Sequence, residues 1–171
     1  MKCWCSNFCR SGCEAKKRVK RRFRIGRPFR VPDGTLVANF FNLGGDMSVA
    51  AGIIAPRTSS RIHVMPFVSQ LIFVRRGRLV VRMRGRRDRR PYSVKLEAGQ
   101  AAFTERGTLL QLENDGTSAC HVLYLVTPAY SFAVGKRRVI YDDAVLAPDW
   151  SYELSTAHLR ALRAERRRLR A

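Results

Sequence analysis

The feature that most constrains this chain is a series of short apolar runs across residues 35–146: TLVANFFNL, MSVAAGIIAP, FVSQLIFV, RLVVRMR, YSVKL, AAFTE, LLQLEN and CHVLYLV. Each is rich in Val, Ile, Leu or Phe, and Gly, Pro, Asn and Asp punctuate the stretches between them. No long helical period interrupts the series, so the expected fold class is all-β, an antiparallel sandwich or barrel. The segment GRLVVRMRGRRDRRPYSVKL reads as a hairpin with a charged Gly/Asp/Pro tip. Along it, Arg82 and Arg84 alternate with apolar residues, which predicts one solvated face.

Three regions follow from this texture. Residues 1–34 read as a flexible basic Cys/Arg-rich arm, because charge is mixed with Gly26, Pro28, Pro32 and Gly34 without an apolar period. Residues 35–147 form the barrel. Residues 148–171 predict a basic amphipathic helix capped by Ser155 or Thr156, with Leu159, Leu162 and Leu169 near one face and arginines filling the others. Packing of that helix on the barrel, with its arginines in water, is the expected arrangement.

Charge narrows the partners. There are 33 Lys and Arg against 13 Asp and Glu, a formal net charge of +20, and an excess of this size points to polyanions, nucleic acid first and an acidic membrane surface second. It is concentrated in the arm, in residues 75–90 and in residues 160–170. No apolar run is long enough to span a bilayer, so no membrane partner is expected. The N-terminal residues lack the apolar core of a signal peptide, which leads to the expectation of reduced cysteines. Cys3, Cys5, Cys9 and Cys13 crowd the arm, and three readings of them stay open: a soft-metal site, a reduced tail and lipid attachment. Cys120 sits in a strand pattern and reads as a buried small hydrophobe.

The stretch IHVMPFVSQLIFVRRG aligns with the first cupin signature, G-x5-H-x-H-x3-4-E-x6-G, as His63, Met65, Gln70 and Gly77. GQAAFTERGTLLQLEN aligns with the second, G-x5-P-x-G-x2-H-x3-N, as Gly99, Glu105, Gly107, Leu110 and Asn114. The turn residues are kept and the metal ligands are mostly replaced. The chain thus resembles a cupin over residues 37–126, which implies a jelly-roll barrel with Gly77, Gly99, Gly107 and Asn114 as structural markers. A thioether, an amide and an alkyl chain are poor ligands for the hard divalent ions of catalytic cupins, so no catalytic residue, metal or other cofactor is expected. His121 and Glu105 have no spacing that recommends another site.

Among metal-less cupins, the chain is similar to the C-terminal domain of centromere protein C and its fungal counterpart. SQLIFVRRGRLVV and AGQAAFTERGTLLQLEN carry the likeness through Phe73, Val74, Gly77, Leu79 and Val81, then Gly99, Phe103, Arg106, Gly107, Leu112 and Asn114. The departures are Glu105 for proline, Thr108 for asparagine, and an upstream basic segment without the tryptophan of that family's nucleosome-binding motif. The resemblance implies a non-enzymatic homodimer in the nucleus, at the centromere of the chromosome, joining centromeric nucleosomes or DNA to other kinetochore proteins. On this reading Lys16, Lys17, Arg18, Lys20, Arg21, Arg22, Arg24 and Arg27 grip DNA or nucleosome, and Phe73, Leu79 and Val81 are candidate dimer contacts. Two alternatives stand beside it: a divergent small-molecule cupin, whether a metal-dependent isomerase, a dioxygenase or a ligand sensor, and a nucleic-acid binder working through the arginine hairpin of residues 75–90.

Overall fold

The computed structural model describes residues 26–43, 45–134, 139–151 and 154–171. The cysteines at 3, 5, 9 and 13 and the arm cations from Lys16 to Arg24 lie outside the described residues. In chain order the elements are β1 (Pro28–Arg30), β2 (Leu36–Leu43), β3 (Met47–Ile54), β4 (Thr58–Ser59), β5 (His63–Val64), β6 (Ser69–Arg76) and β7 (Arg78–Arg84). They continue with β8 (Tyr92–Glu97), β9 (Ala101–Thr104), β10 (Leu109–Asn114), β11 (Cys120–Thr127), β12 (Phe132–Val134), β13 (Val139–Asp142), β14 (Val145–Leu146) and α1 (Thr156–Arg168).

Two antiparallel sheets hold most of the chain. One runs β1-β2-β3-β11-β6-β9; the other runs β14-β5-β10-β7-β8, with β4 paired to β10. Strict alternation along β3, β6 and β11 turns every second residue inward. Ile72, Val74, Val122 and Val126 from the first sheet join Leu79, Val81, Met83, Leu110 and Leu112 from the second in one core. The expected all-β barrel is what the chain forms.

The arm ends earlier than the sequence indicates. Pro28–Arg30 pairs with β2, so residues 28–34 belong to the sheet rather than to a linker. Pro32, Asp33 and Gly34 (φ 95°) instead make a hairpin turn, in which the Asp33 carboxylate accepts from the Thr35 N–H (2.9 Å) and hydroxyl (2.8 Å). Proline is tolerated in β1 because the strand is a sheet edge, where one missing donor breaks no ladder.

The helix begins at Ser155, whose hydroxyl accepts from the His158 N–H. Leu159, Leu162 and Leu169 are half-buried. Arg166 shares their face and is buried, contrary to the expectation that the helix arginines face water. Its guanidinium pairs with Asp143, donates to the Ala129 carbonyl (2.8 Å) and lies 5.7 Å from the Phe67 ring centroid. No helix among the described residues is long and apolar enough to cross a membrane.

Candidate functional site

The four positions that hold metal in a catalytic cupin converge in this barrel. His63 on β5 is the register partner of Leu110 on β10, Met65 follows β5, and Gln70 lies on β6. All four are buried, at no more than 7% exposure. One imidazole, a thioether, an amide and an isobutyl group do not fit a divalent cation. Among the described residues no group of three His, Cys, Asp or Glu side chains is placed to hold one. Glu105 is exposed at a turn and half-buried His121 alternates with the inward residues of β11, so neither reaches the interior.

A polar set of a different kind lines the interior. A cavity of about 50 Å³ is bounded by Asp33, His63, Gln70, Tyr124 and Asp142 among apolar neighbours such as Met65 and Leu112. Typical ligand pockets hold several hundred Å³, so this space has room for a single functional group or a few water molecules and no more.

Tyr124 is the decisive residue. Its hydroxyl is buried, lines this cavity and has no hydrogen-bond partner among the described residues. Burial holds the phenol well above its ordinary pKa of 10.0, with Asp33 and Cys120 adding to the shift, so it is a donor at neutral pH. Gly52 makes room for the ring: a Cβ there would stand 2.4 Å from Cε2 and 2.8 Å from the hydroxyl. Ala50, the register partner of Tyr124, and Gly52, two residues further along the same inward face of β3, thus leave space for the aromatic side chain on β11.

The other groups are oriented. His63 Nδ1 lies 2.9 Å from the Arg61 carbonyl, which fixes the proton there in the neutral ring and leaves Nε2 as an acceptor. The same Nδ1 is 3.7 Å from Asp33. Burial pushes the Asp142 carboxyl up to about 7, opposed by the Ala144 N–H and reinforced by Asp33 and Asp143. Asp142 lines the same cavity as Tyr124, and a carboxyl that titrates near neutrality is suited to moving a proton.

Other sequence-derived residues have structural places. Gly77, Gly99 and Gly107 all have positive φ, and a Cβ at Gly77 would meet the Cys120 backbone at 3.1 Å. Asn114 donates to the carbonyls of Ile54 (3.0 Å) and Ser118 (2.8 Å) and accepts from the Gly116 N–H (3.0 Å). Cys120 is fully buried and its thiol is pushed up to about 11 by that burial. Leu79 and Val81 point into the core at 1% and 0% exposure; as inward positions of β7 they are not available as dimer contacts. Phe73 points the other way, from the outer face of the larger sheet, and Arg27 is exposed ahead of β1.

No family model matches the chain. A curated relative, the tetracenomycin polyketide synthase protein TcmJ of Streptomyces glaucescens, is 32% identical over 75 residues, 44% of this chain and 46% of that protein. The match therefore spans about half of the relative's length. Among solved structures, an oxalate oxidase bound to glycolate overlays with a TM-score of 0.50 at 21% identity, over 57% of this chain and 53% of that one. The cupin domain of Drosophila melanogaster CENP-C overlays with a TM-score of 0.51 at 16% identity, over 59% and 70%. The fold is that of a cupin. Oxalate oxidase is an enzyme, and another structure shows the Drosophila CENP-C protein bound to CAL1, so this cupin fold is compatible with chemistry and with assembly alike.

Sequence reasoning missed Asp33, Tyr124 and Asp142. Asp33 sat in an apparent linker, Tyr124 in an apolar strand where a ring reads as core, and Asp142 beyond the aligned signatures.

Proposed function

We propose that the barrel interior receives a carbonyl group of a small organic molecule and removes and returns a proton at the carbon beside it, the C–H electron pair passing into the enol and back. The unpartnered Tyr124 hydroxyl carries this reading. A phenol donates to a carbonyl oxygen, and Asp33 and Asp142 disfavour a carboxylate in the same space. Asp142 is the proton-exchanging group and His63 Nε2 the second acceptor. The TcmJ match supports the class, since polyketides are built from carbonyl-bearing units.

The test uses acetylacetone, whose central carbon exchanges hydrogen for deuterium through its enol. The protein should accelerate that exchange in deuterated buffer, and Tyr124→Phe should abolish the acceleration while leaving the far-ultraviolet spectrum unchanged. Equal exchange with the wild-type and variant proteins sinks the reading.

A second reading rests on the outer face of the larger sheet. Val49, Ala51 and Ile53 of β3, Leu123 and Leu125 of β11, and Leu71 and Phe73 of β6 lie side by side there, and Phe103 at the edge is 57% exposed. On this reading the chain is a homodimerising module of the centromere protein C kind. Its basic arm holds chromatin in the nucleus, and its barrel gathers kinetochore partners; the likeness to CENP-C cupin domains supports it. Removing residues 1–25 while keeping β1 should abolish most DNA affinity and leave pairing intact. DNA binding that survives the truncation transfers the role to the arginine hairpin.

A further inference from the structure

A second cavity lies outside the barrel interior and shares no lining residue with it. It measures about 710 Å³ and sits where the end of β7, the Gly107 turn, Trp150 and residues 154–159 at the start of α1 meet. That volume falls in the range of organic-ligand pockets. Leu109, Trp150, Leu154 and Leu159 supply apolar wall, Arg84 and Arg86 supply charge, and no acidic residue lines it among the described residues.

The two arginines are held differently. Arg84 is a structural brace: Nε donates to the Asp88 carbonyl (3.2 Å) and Nη1 donates to the carbonyl of Trp150, fixing the tryptophan backbone against the hairpin. Arg86 has no hydrogen bond or ion pair among the described residues and is exposed. It is nonetheless placed, because its Nε lies over Gly107, 3.2 Å from where a Cβ would stand. Gly107 has φ 80°, so the turn both needs glycine and leaves the guanidinium its seat. Asp88, the nearest acid in sequence, turns one carboxylate oxygen to the Gly85 N–H (2.7 Å) and makes no ion pair with Arg86. The result is an exposed guanidinium with no ion pair among the described residues, at the edge of a cleft of mixed polar and apolar surface.

We infer that this cleft binds an organic anion with an apolar body, its acidic group at Arg86 and its body against Trp150 and the leucines. A guanidinium pairs well with a carboxylate or sulfonate, and the indole favours a flat hydrocarbon. Nucleic acid is the lesser match, since a single indole makes no ladder for successive bases. The inference does not depend on the function of the barrel interior.

Calorimetric titration of the full chain with 2-naphthoate, 2-naphthamide and oligothymidylate, at about 150 mM salt to screen diffuse attraction, tests it. Naphthoate should bind saturably at one site, about tenfold or more tighter than its uncharged amide. Arg86→Gln should remove that preference, and Arg75→Gln, on the same charged run but outside the cleft, should retain it. Far-ultraviolet melting curves confirm that both variants fold. The inference is overturned by no saturable binding of naphthoate, by equal binding of acid and amide, or by equal losses in the two variants. Displacement of naphthoate by oligothymidylate, with an affinity that grows with its length, assigns the cleft to a polyanion and overturns it too.

Discussion

A tyrosine hydroxyl buried without a partner lowers stability by about 1–3 kcal/mol relative to the ring alone. Tyr124→Phe should therefore raise the denaturant midpoint while removing the exchange activity, an opposition expected of residues kept for function. Asp142 makes a prediction in pH. Its folded value of about 7 lies above its ordinary 3.8, so the folded chain binds this proton more tightly than the unfolded one. Its contribution to stability is greatest below about pH 4, falls as the pH rises toward about 7 and is flat beyond. The difference in melting temperature between wild type and Asp142→Asn should follow that curve; a difference that does not vary with pH rejects the shift. Asn114 has both ends of its amide engaged, and Asn114→Ala should cost about 2–4 kcal/mol in chemical denaturation. Asn114 was legible in the sequence because its spacing from Gly107 is part of a motif. Tyr124 was not, because nothing in an alternating strand distinguishes a ring that fills the core from one that leaves its hydroxyl unpaired.

At the scale of elements, the long strands were legible because alternation is itself the consequence of one buried face, and β3, β6 and β11 show it without a break. The two-residue strands β4, β5 and β14 were not, since a pairing that short leaves no period. Strand β1 was hidden by Pro28 and by the flanking Gly26, Pro32 and Gly34, which mark a linker as readily as a hairpin turn. Helix α1 was read from its cap and leucines, yet the residue that fastens it is an arginine. Arg166→Ala strands Asp143 in the interior, also reached by the Tyr141 hydroxyl (3.0 Å) and the Ser131 N–H (2.8 Å). It should cost about 3–5 kcal/mol, whereas Arg160→Ala on the exposed face should change stability by less than about 0.5 kcal/mol. Equal costs for the two would mean that the ion pair does not anchor the helix.

For the whole molecule, a net charge of +20 sets two copies against each other everywhere except where charge is missing. The central outer face of the larger sheet is such a place, and self-association through it should strengthen with salt, opposite to the weakening that salt imposes on contacts with nucleic acid. Sedimentation equilibrium should show a dimer favoured at higher ionic strength and shifted toward monomer by Phe103→Glu. A monomer at every salt concentration removes the pairing role. The overall class was legible because two motifs in the right order fix a barrel even after its ligands have gone. The contents of that barrel were not, because Asp33, Tyr124 and Asp142, which line it beside His63, Met65 and Gln70, come from segments outside both motifs.

Gly52 gives a way to separate these roles in one molecule. A methyl group introduced there would fall 2.4 Å from the Tyr124 ring, 2.8 Å from its hydroxyl and 2.8 Å from the Val122 side chain, so Gly52→Ala must displace the phenol that lines the interior while leaving every residue on the outside as it is. A cell carrying that single change would lose whatever the chamber does and keep whatever the exterior does, and its phenotype would tell which of the two the organism needs.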